Sequence, residues 1–275
     1  IGFSSYKANM GDLTNRGYEL SVSYTPVKTK KMLLNLSFNG AHNTNRIRKI
    51  SDFLKRYNDI VNGQAQQSSA PTTVFLFTEG QSMNTIYAVP SLGIDPGTGK
   101  EIFINRDKTT TYTWQARNQV PVGVNEPTLR GYMGASLRYG NWEMGAHAGY
   151  SFGADKYNYT LAEKIENVNY MVNNDRRALT ERWQHPGSIA RYKAIRDNSV
   201  TKATSRFVQK ERYLSLASLR LSYMVPRQRL LNSWMSMLKL SITANDLFYL
   251  SSIRQERGLA YPYTRSVTFS ALVNF

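Results

Sequence analysis

The chain has 275 residues, 41% hydrophobic and 20% charged, a balance that excludes intrinsic disorder. No run of 18 apolar residues occurs, which excludes a transmembrane helix, while the negative mean hydropathy remains compatible with a β-barrel, whose strands are half polar. The absence of cysteine excludes a disulfide framework and a Cys-ligated zinc site, and 35 Lys and Arg stand against 19 Asp and Glu.

Residues 17–25 open the pattern: Tyr18, Leu20, Val22 and Tyr24 fall on one side of an extended strand, Glu19, Ser21 and Ser23 on the other. A basic turn with Pro26, Lys28, Lys30 and Lys31 leads to residues 31–41, where Leu34, Leu36 and Phe38 alternate with Asn35, Ser37 and Asn39. From 42 to 128 the alternation is lost, apart from a charged, helix-like stretch from Ser51 to Val61. Gly93 to Lys100 looks like a phosphate-binding loop but lacks the required glycine, and Glu101 stands where a magnesium-binding Ser or Thr belongs; it reads as an Asp-Pro-Gly turn.

The clearest hairpin follows, with strands at 130–139 and 142–152 joined by Gly140-Asn141. Met133, Ala135, Leu137 and Tyr139 face the same way as Trp142, Met144, Ala146, Ala148, Tyr150 and Phe152, while Glu143, Gly145, His147, Gly149 and Ser151 face an aqueous interior. The second strand rises ~33 Å, and a tilt of about 40° leaves ~25 Å along the membrane normal, the height of an outer-membrane apolar band.

A basic polar stretch, 153–212, precedes strands at 213–225 (Tyr213, Ala217, Leu219, Leu221 and Tyr223 on one face) and 237–249. The segment 250–264 leads to a last strand at 265–275, with Val267, Phe269, Ala271, Val273 and Phe275 on one face, an aromatic-terminated pattern expected to serve as a signal to the barrel-assembly machinery. Tight and long connections alternate in phase, which predicts periplasmic turns and long extracellular loops at 42–128, 153–212 and 250–264. The 18 Tyr, 11 Phe and 4 Trp suit two interfacial girdles. Seven strands are too few to close a membrane barrel, which needs about eight. The expected fold is therefore all-β, a transmembrane antiparallel β-barrel of which residues 1–275 form a C-terminal part; the opening Ile1 is read as that of a mature or partial chain.

A family resemblance rests on motifs in order along the chain. Asn15-Arg-Gly-Tyr-Glu19 is similar to the N-x-G-x-E signature of TonB-dependent receptors. Glu79-Gly-Gln-Ser82, Gly93-Ile-Asp-Pro-Gly-Thr-Gly99, Arg182-Trp-Gln-His-Pro-Gly187, Ser205-Arg-Phe-Val208, Tyr213 to Tyr223, Asn245-Asp-Leu-Phe248 and Tyr261-Pro262 resemble the C-terminal part of SusC/RagA-type transporters of the Bacteroidetes outer membrane. The resemblance implies a barrel of about twenty-two strands, import of oligosaccharides or peptides under TonB power, and a SusD-like lipoprotein lid over the extracellular loops. It also implies that the N-terminal plug and the TonB-contacting segment are absent from this stretch. Ser188 stands after the Pro-Gly where the family usually has an acidic residue. The alternative function is a SusC-like barrel serving as a scaffold without transport.

Site chemistry points away from catalysis. His42, His147 and His185 lack metal-site spacing, no paired carboxylates mark a glycosidase, and no nucleophile elbow is present; no enzyme activity, cofactor or metal is expected. The basic residues are spread over loops, so nucleic acid is not an expected partner, whereas lipopolysaccharide phosphates, outer-membrane lipid or an acidic partner are. In the basic loop, Trp183, Tyr192, Phe207 and Tyr213 are candidates to stack on a ligand, and Arg182, Arg191 and Arg196 to bind carboxylates; packing of the loop is the competing role for Trp183.

Overall fold

A computed structural model describes residues 9–230, 234–254 and 264–275. In chain order its strands are β1 (Gly11–Lys28), β2 (Met32–Ile50), β3 (Thr85–Ala88), β4 (Ser91–Ile94), β5 (Glu101–Ile104), β6 (Thr110–Thr111), β7 (Val120–Val124), β8 (Leu129–Tyr139), β9 (Trp142–Tyr157), β10 (Val208–Met224), β11 (Met237–Ser251) and β12 (Ser266–Asn274). Helix α1 is Asp52–Gln67, and α2 is the short turn Arg177–Thr180.

Seven of these strands form one sheet in the order β1-β2-β8-β9-β10-β11-β12. The pairings of β2 with β8, β8 with β9, β10 with β11 and β11 with β12 are all antiparallel. They align the apolar positions across the strands: Leu34 with Leu137 and Leu137 with Met144, then Leu221 with Ile242 and Ile242 with Phe269. The polar positions align in the same way, as Ser136 with Gly145 and Ser222 with Ser241.

Among the described residues none packs over the apolar face as a second layer. Phe269 is 77% exposed and Leu240 46%, and Leu36, Phe38, Trp142, Met144 and Leu219 are exposed too. A continuous apolar face of this kind is not a soluble surface but one made for hydrocarbon. At one end Trp142 and Tyr223 lie with ring centroids 4.7 Å apart. Toward the other end Tyr150 stacks on Phe38 at 5.6 Å and reaches the Asn39 carbonyl through its hydroxyl at 2.7 Å. That reach requires glycine at Gly131, where a Cβ would collide with the Asn39 carbonyl and the tyrosine hydroxyl; the ring covers backbone that no side chain of its own strand protects. On the opposite face Lys239 pairs with Glu143, and the Arg220 Nε donates to Ser222 Oγ at 3.2 Å. The two faces follow from strand periodicity alone.

Several boundaries differ from the sequence reading. β2 continues to Ile50, β9 to Tyr157, and β10 already begins at Val208, because the polar residues there keep their ladder hydrogen bonds without an apolar face to advertise them. The alternation expected from Tyr213 to Tyr223 keeps its period along β10, and the irregularity lies in its partner β11, which carries one extra residue. The β10–β11 register shifts between Leu216 and Ser218, and Asp246 opposite takes a positive φ of 53°.

The stretches expected as loops are not featureless. Ser51 caps α1 by accepting from Leu54 N–H at 3.4 Å, β3 pairs with β7, and β4, β5 and β6 form a three-stranded sheet. Residues Thr44–Glu126 and Asp155–Lys210 belong to one compact unit, with its own core of Ile86, Ala88, Tyr157, Ile165, Tyr192 and Phe207. Val89 and Thr204 form a parallel bridge there, Val89 N–H donating to Ala203 O and Ser205 N–H to Val89 O. Residues 255–263 of the expected 250–264 loop, with the Tyr261-Pro262 motif, lie outside the described residues.

Adjacent residues on opposite faces give a direct test. Ala135→Arg, on the apolar face nearer the middle of β8, is expected to cost about 2–4 kcal/mol and to lower the yield of heat-modifiable barrel on gels of the intact protein, whereas Ser136→Arg leaves that yield unchanged.

Candidate functional site

The basic loop is held by a buried charge cluster. Arg206, in the turn before β10, presents its guanidinium fork to Glu101 at the start of β5: Nε to Oε1 at 2.9 Å and Nη2 to Oε2 at 2.7 Å. The same Nη2 donates to Glu166 Oε1 at 2.8 Å, which also accepts from the Thr201 hydroxyl at 2.9 Å. All three side chains are nearly or wholly enclosed. Burial opposes the guanidinium charge, but the attraction of Glu101 and then Glu166 outweighs it and raises the Arg206 pKa above its ordinary value. Two carboxylates far apart in sequence thus meet here, though as counterions to one arginine and not as an acid and base flanking a ligand.

Arg182 is likewise consumed by the protein. A π-helical turn, Thr160–Glu166, and α2 both end in unpaired carbonyls, and Arg182 satisfies them. Its Nε donates to Ala178 O at 2.6 Å, Nη2 to Glu166 O at 2.6 Å and to Ile165 O, and Nη1 to Lys193 O at 3.2 Å. Only 4% of Arg182 is exposed. The expectation that it binds an external carboxylate is therefore corrected: its donors already serve the backbone of its own fold. Tyr192, 4% exposed, and Phe207, 1% exposed, are corrected in the same way from stacking platforms to core residues.

Trp183 has the packing role. The Asp95 side chain closes the β4–β5 turn, accepting from Gly97 N–H at 2.9 Å and from the Thr98 hydroxyl at 2.7 Å. The tip of that turn receives the Arg182–Gly187 loop: Pro96 O accepts from Trp183 Nε1 and from Gly187 N–H, both at 2.8 Å. The indole lies against Gly99, whose φ is +72° and where a Cβ would come within 2.6 Å of the ring. Two motifs about ninety residues apart are thus one contact, and glycine is required twice over at position 99. Ser188, in the place of the family's acidic residue, closes a local turn by donating to His185 O at 2.8 Å.

Of the remaining candidates, Arg191 is exposed and lies 3.6 Å from Glu181, Arg196 is exposed, and Tyr213 stacks on Tyr249 at 5.2 Å. Val267, Phe269, Ala271, Val273 and Phe275 lie on or just past β12, with Phe275 stacked on Trp234 at 4.4 Å. The histidines do not converge. His42 contacts Thr128 O at 2.6 Å, His185 contacts Pro186 O at 3.2 Å, and His147 sits opposite Gly134 on β8. Among the described residues no group of three His, Asp or Glu has the geometry of a metal site.

An antiparallel strand wall, bare and apolar on one side and polar on the other, defines the class as the outer-membrane β-barrel. The chain is 21% identical over 304 residues to the TonB-dependent receptor P39 of Formosa agariphila and 23% identical over 265 residues to its TonB-dependent receptor P3. These matches cover 91% and 90% of this chain and 28% and 25% of the relatives, so the chain spans about a quarter of the length of the curated relatives it matches. Among solved structures it is similar to the RagAB peptide transporter, with a TM-score of 0.71 at 19% identity over 92% of this chain and 27% of that one. The RagAB peptide importer in its open-open state gives 0.74 at 17% identity, over 96% and 29%. No protein-family profile matches. The resemblance carried by the motifs is thus found again in both sequence relatives and fold: the chain is similar to TonB-dependent receptors of the SusC/RagA type.

Arg206→Met leaves Glu101 and Glu166 buried without a counterion, and is expected to destabilise the loop unit by about 3–5 kcal/mol. Hydrogen exchange at 158–167 and 199–208 reads this as lost protection. Gly99→Ala is expected to expose the 95–100 turn to limited proteolysis, because the new methyl group displaces the indole.

Proposed function

We propose that this chain supplies C-terminal barrel strands and extracellular loops to a SusC/RagA-type TonB-dependent importer of the outer membrane. The whole protein takes up peptides or oligosaccharides, with energy delivered by TonB through a plug domain and with a SusD-like lipoprotein closing over the long loops. The observation that supports it best is the bare apolar face running across the sheet from Leu34 to Phe269, which only a lipid environment stabilises. The likeness to the RagAB peptide transporter supports the same reading.

A compact loop unit suits that role. Loops tied by a buried ion cluster and a hydrophobic core present a fixed surface to a lid or a ligand, where unstructured loops would first have to be ordered. The barrel-assembly machinery would recognise the strand carrying Val267, Phe269, Ala271, Val273 and Phe275, and exposed basic loops would meet lipopolysaccharide phosphates.

Deleting the gene for the intact protein is expected to abolish growth on one class of oligopeptide or oligosaccharide as sole nutrient while leaving growth on the free monomers unchanged. Equal growth of deletion and parent strains on every oligomer that the parent uses would remove the import assignment.

A further inference from the structure

We propose that a cleft in the loop unit, between Leu179–Gln184 and Ala194–Arg196, is a peptide subsite that takes an apolar side chain next to a carboxylate. The inference rests on the import reading and adds a place and a chemistry to it. The cleft has a volume of about 480 Å³, with Leu179, Ala194, Ile195 and the Trp183 indole as walls and Gln184 and Arg196 at the rim. Leu179 is 64% exposed and Ile195 40%, so two aliphatic side chains stand in water with none of the unit's described residues over them.

The walls are fixed before any ligand arrives. Trp183 is pinned at Nε1 by Pro96 O and at its backbone N–H by Tyr192 O at 3.0 Å, and Ala194 N–H donates to Gly99 O at 3.2 Å. Below them Arg182 ties α2 and the π-helical turn to the Lys193 carbonyl. A rigid apolar slot loses little entropy when it is filled.

The rim is positive and unsatisfied. Arg196 is exposed, and among the described residues no carboxylate lies within ion-pair distance of it; the nearby acids are engaged, Glu181 with Arg191 at 3.6 Å and Asp197 with Lys193 at 3.8 Å and with Ser199. An exposed guanidinium beside an apolar slot recognises a carboxylate whose neighbour is apolar. A sugar could stack on the Trp183 indole but fits less well, since its ring of hydroxyls would find free side-chain partners only in Gln184 and Arg196, the Arg182 donors being already used by backbone carbonyls. A peptide such as Leu-Glu-Leu offers the complementary pair of groups.

The test uses the intact receptor in detergent and titration calorimetry with acetyl-Gly-Leu-Glu-Leu-Gly amide and its Glu→Gln counterpart. The acidic peptide is expected to bind about threefold to fivefold more tightly than the neutral one. Arg196→Gln removes that preference and leaves affinity for the neutral peptide unchanged, while Ile195→Asp abolishes binding of both; heat-modifiable mobility confirms that each variant is folded. Equal affinity for the two peptides, no binding of either, or a preference that survives Arg196→Gln overturns the subsite. So does maltohexaose binding that Ile195→Asp abolishes, which would make the cleft a glycan site. Peptide import by living cells is scored separately: if it persists while the cleft variants bind like the parent, the subsite falls and the import reading stands.

Discussion

A β-strand in lipid must satisfy every backbone hydrogen bond within the sheet and present hydrocarbon to the bilayer, and this double demand governs the strand wall. Unpaired backbone groups cost several kcal/mol each where no water can reach them. Long strands in antiparallel register meet the first demand between the edge strands β1 and β12, and the rows running through Leu137 and through Phe269 meet the second. The polar row, with the Lys239–Glu143 pair and the Arg220–Ser222 hydrogen bond, needs an aqueous side, so the sheet makes physical sense only as a partition between two solvents.

The loop unit solves a different problem. Its chain is polar, basic and short of apolar periodicity, yet it folds because a few aromatic and aliphatic residues gather around Phe207 and because its charges compensate one another internally. Arg206 neutralises Glu101 and Glu166, and Arg182 caps two helical turns. A buried charge is tolerated when it is paired with an opposite one, so the excess of arginine here is partly structural. That leaves fewer arginines for ligands than the composition implies, and gives more meaning to the few, such as Arg196, that the unit does not use.

Strand existence was legible from one-dimensional pattern because a strand's side chains alternate with a period of two whatever surrounds them. All seven long strands, the Gly140-Asn141 turn and the Asp-Pro-Gly turn could be read from residue order. Their ends could not: past Ala41 in β2 and Phe152 in β9 the strands go on with polar residues, held by ladder hydrogen bonds that carry no side-chain signature. The bulge in β11 was invisible for a similar reason, since a register shift belongs to two strands at once.

The candidate site shows the same division more sharply. The sequence by itself determined the two-faced strands, the excess of positive charge in the second long connection and the motifs that carry the family resemblance, all properties of neighbouring residues. Only the tertiary structure decided what each charged or aromatic side chain does. Arg182 and Arg196 are the same residue type fourteen positions apart in one basic stretch, and one is enclosed by four carbonyls while the other stands free at a cleft. The pairing of Arg206 with Glu101 across more than a hundred residues, and of Trp183 with Gly99 across more than eighty, depends on which distant segments the folded chain brings together, and no local pattern encodes that.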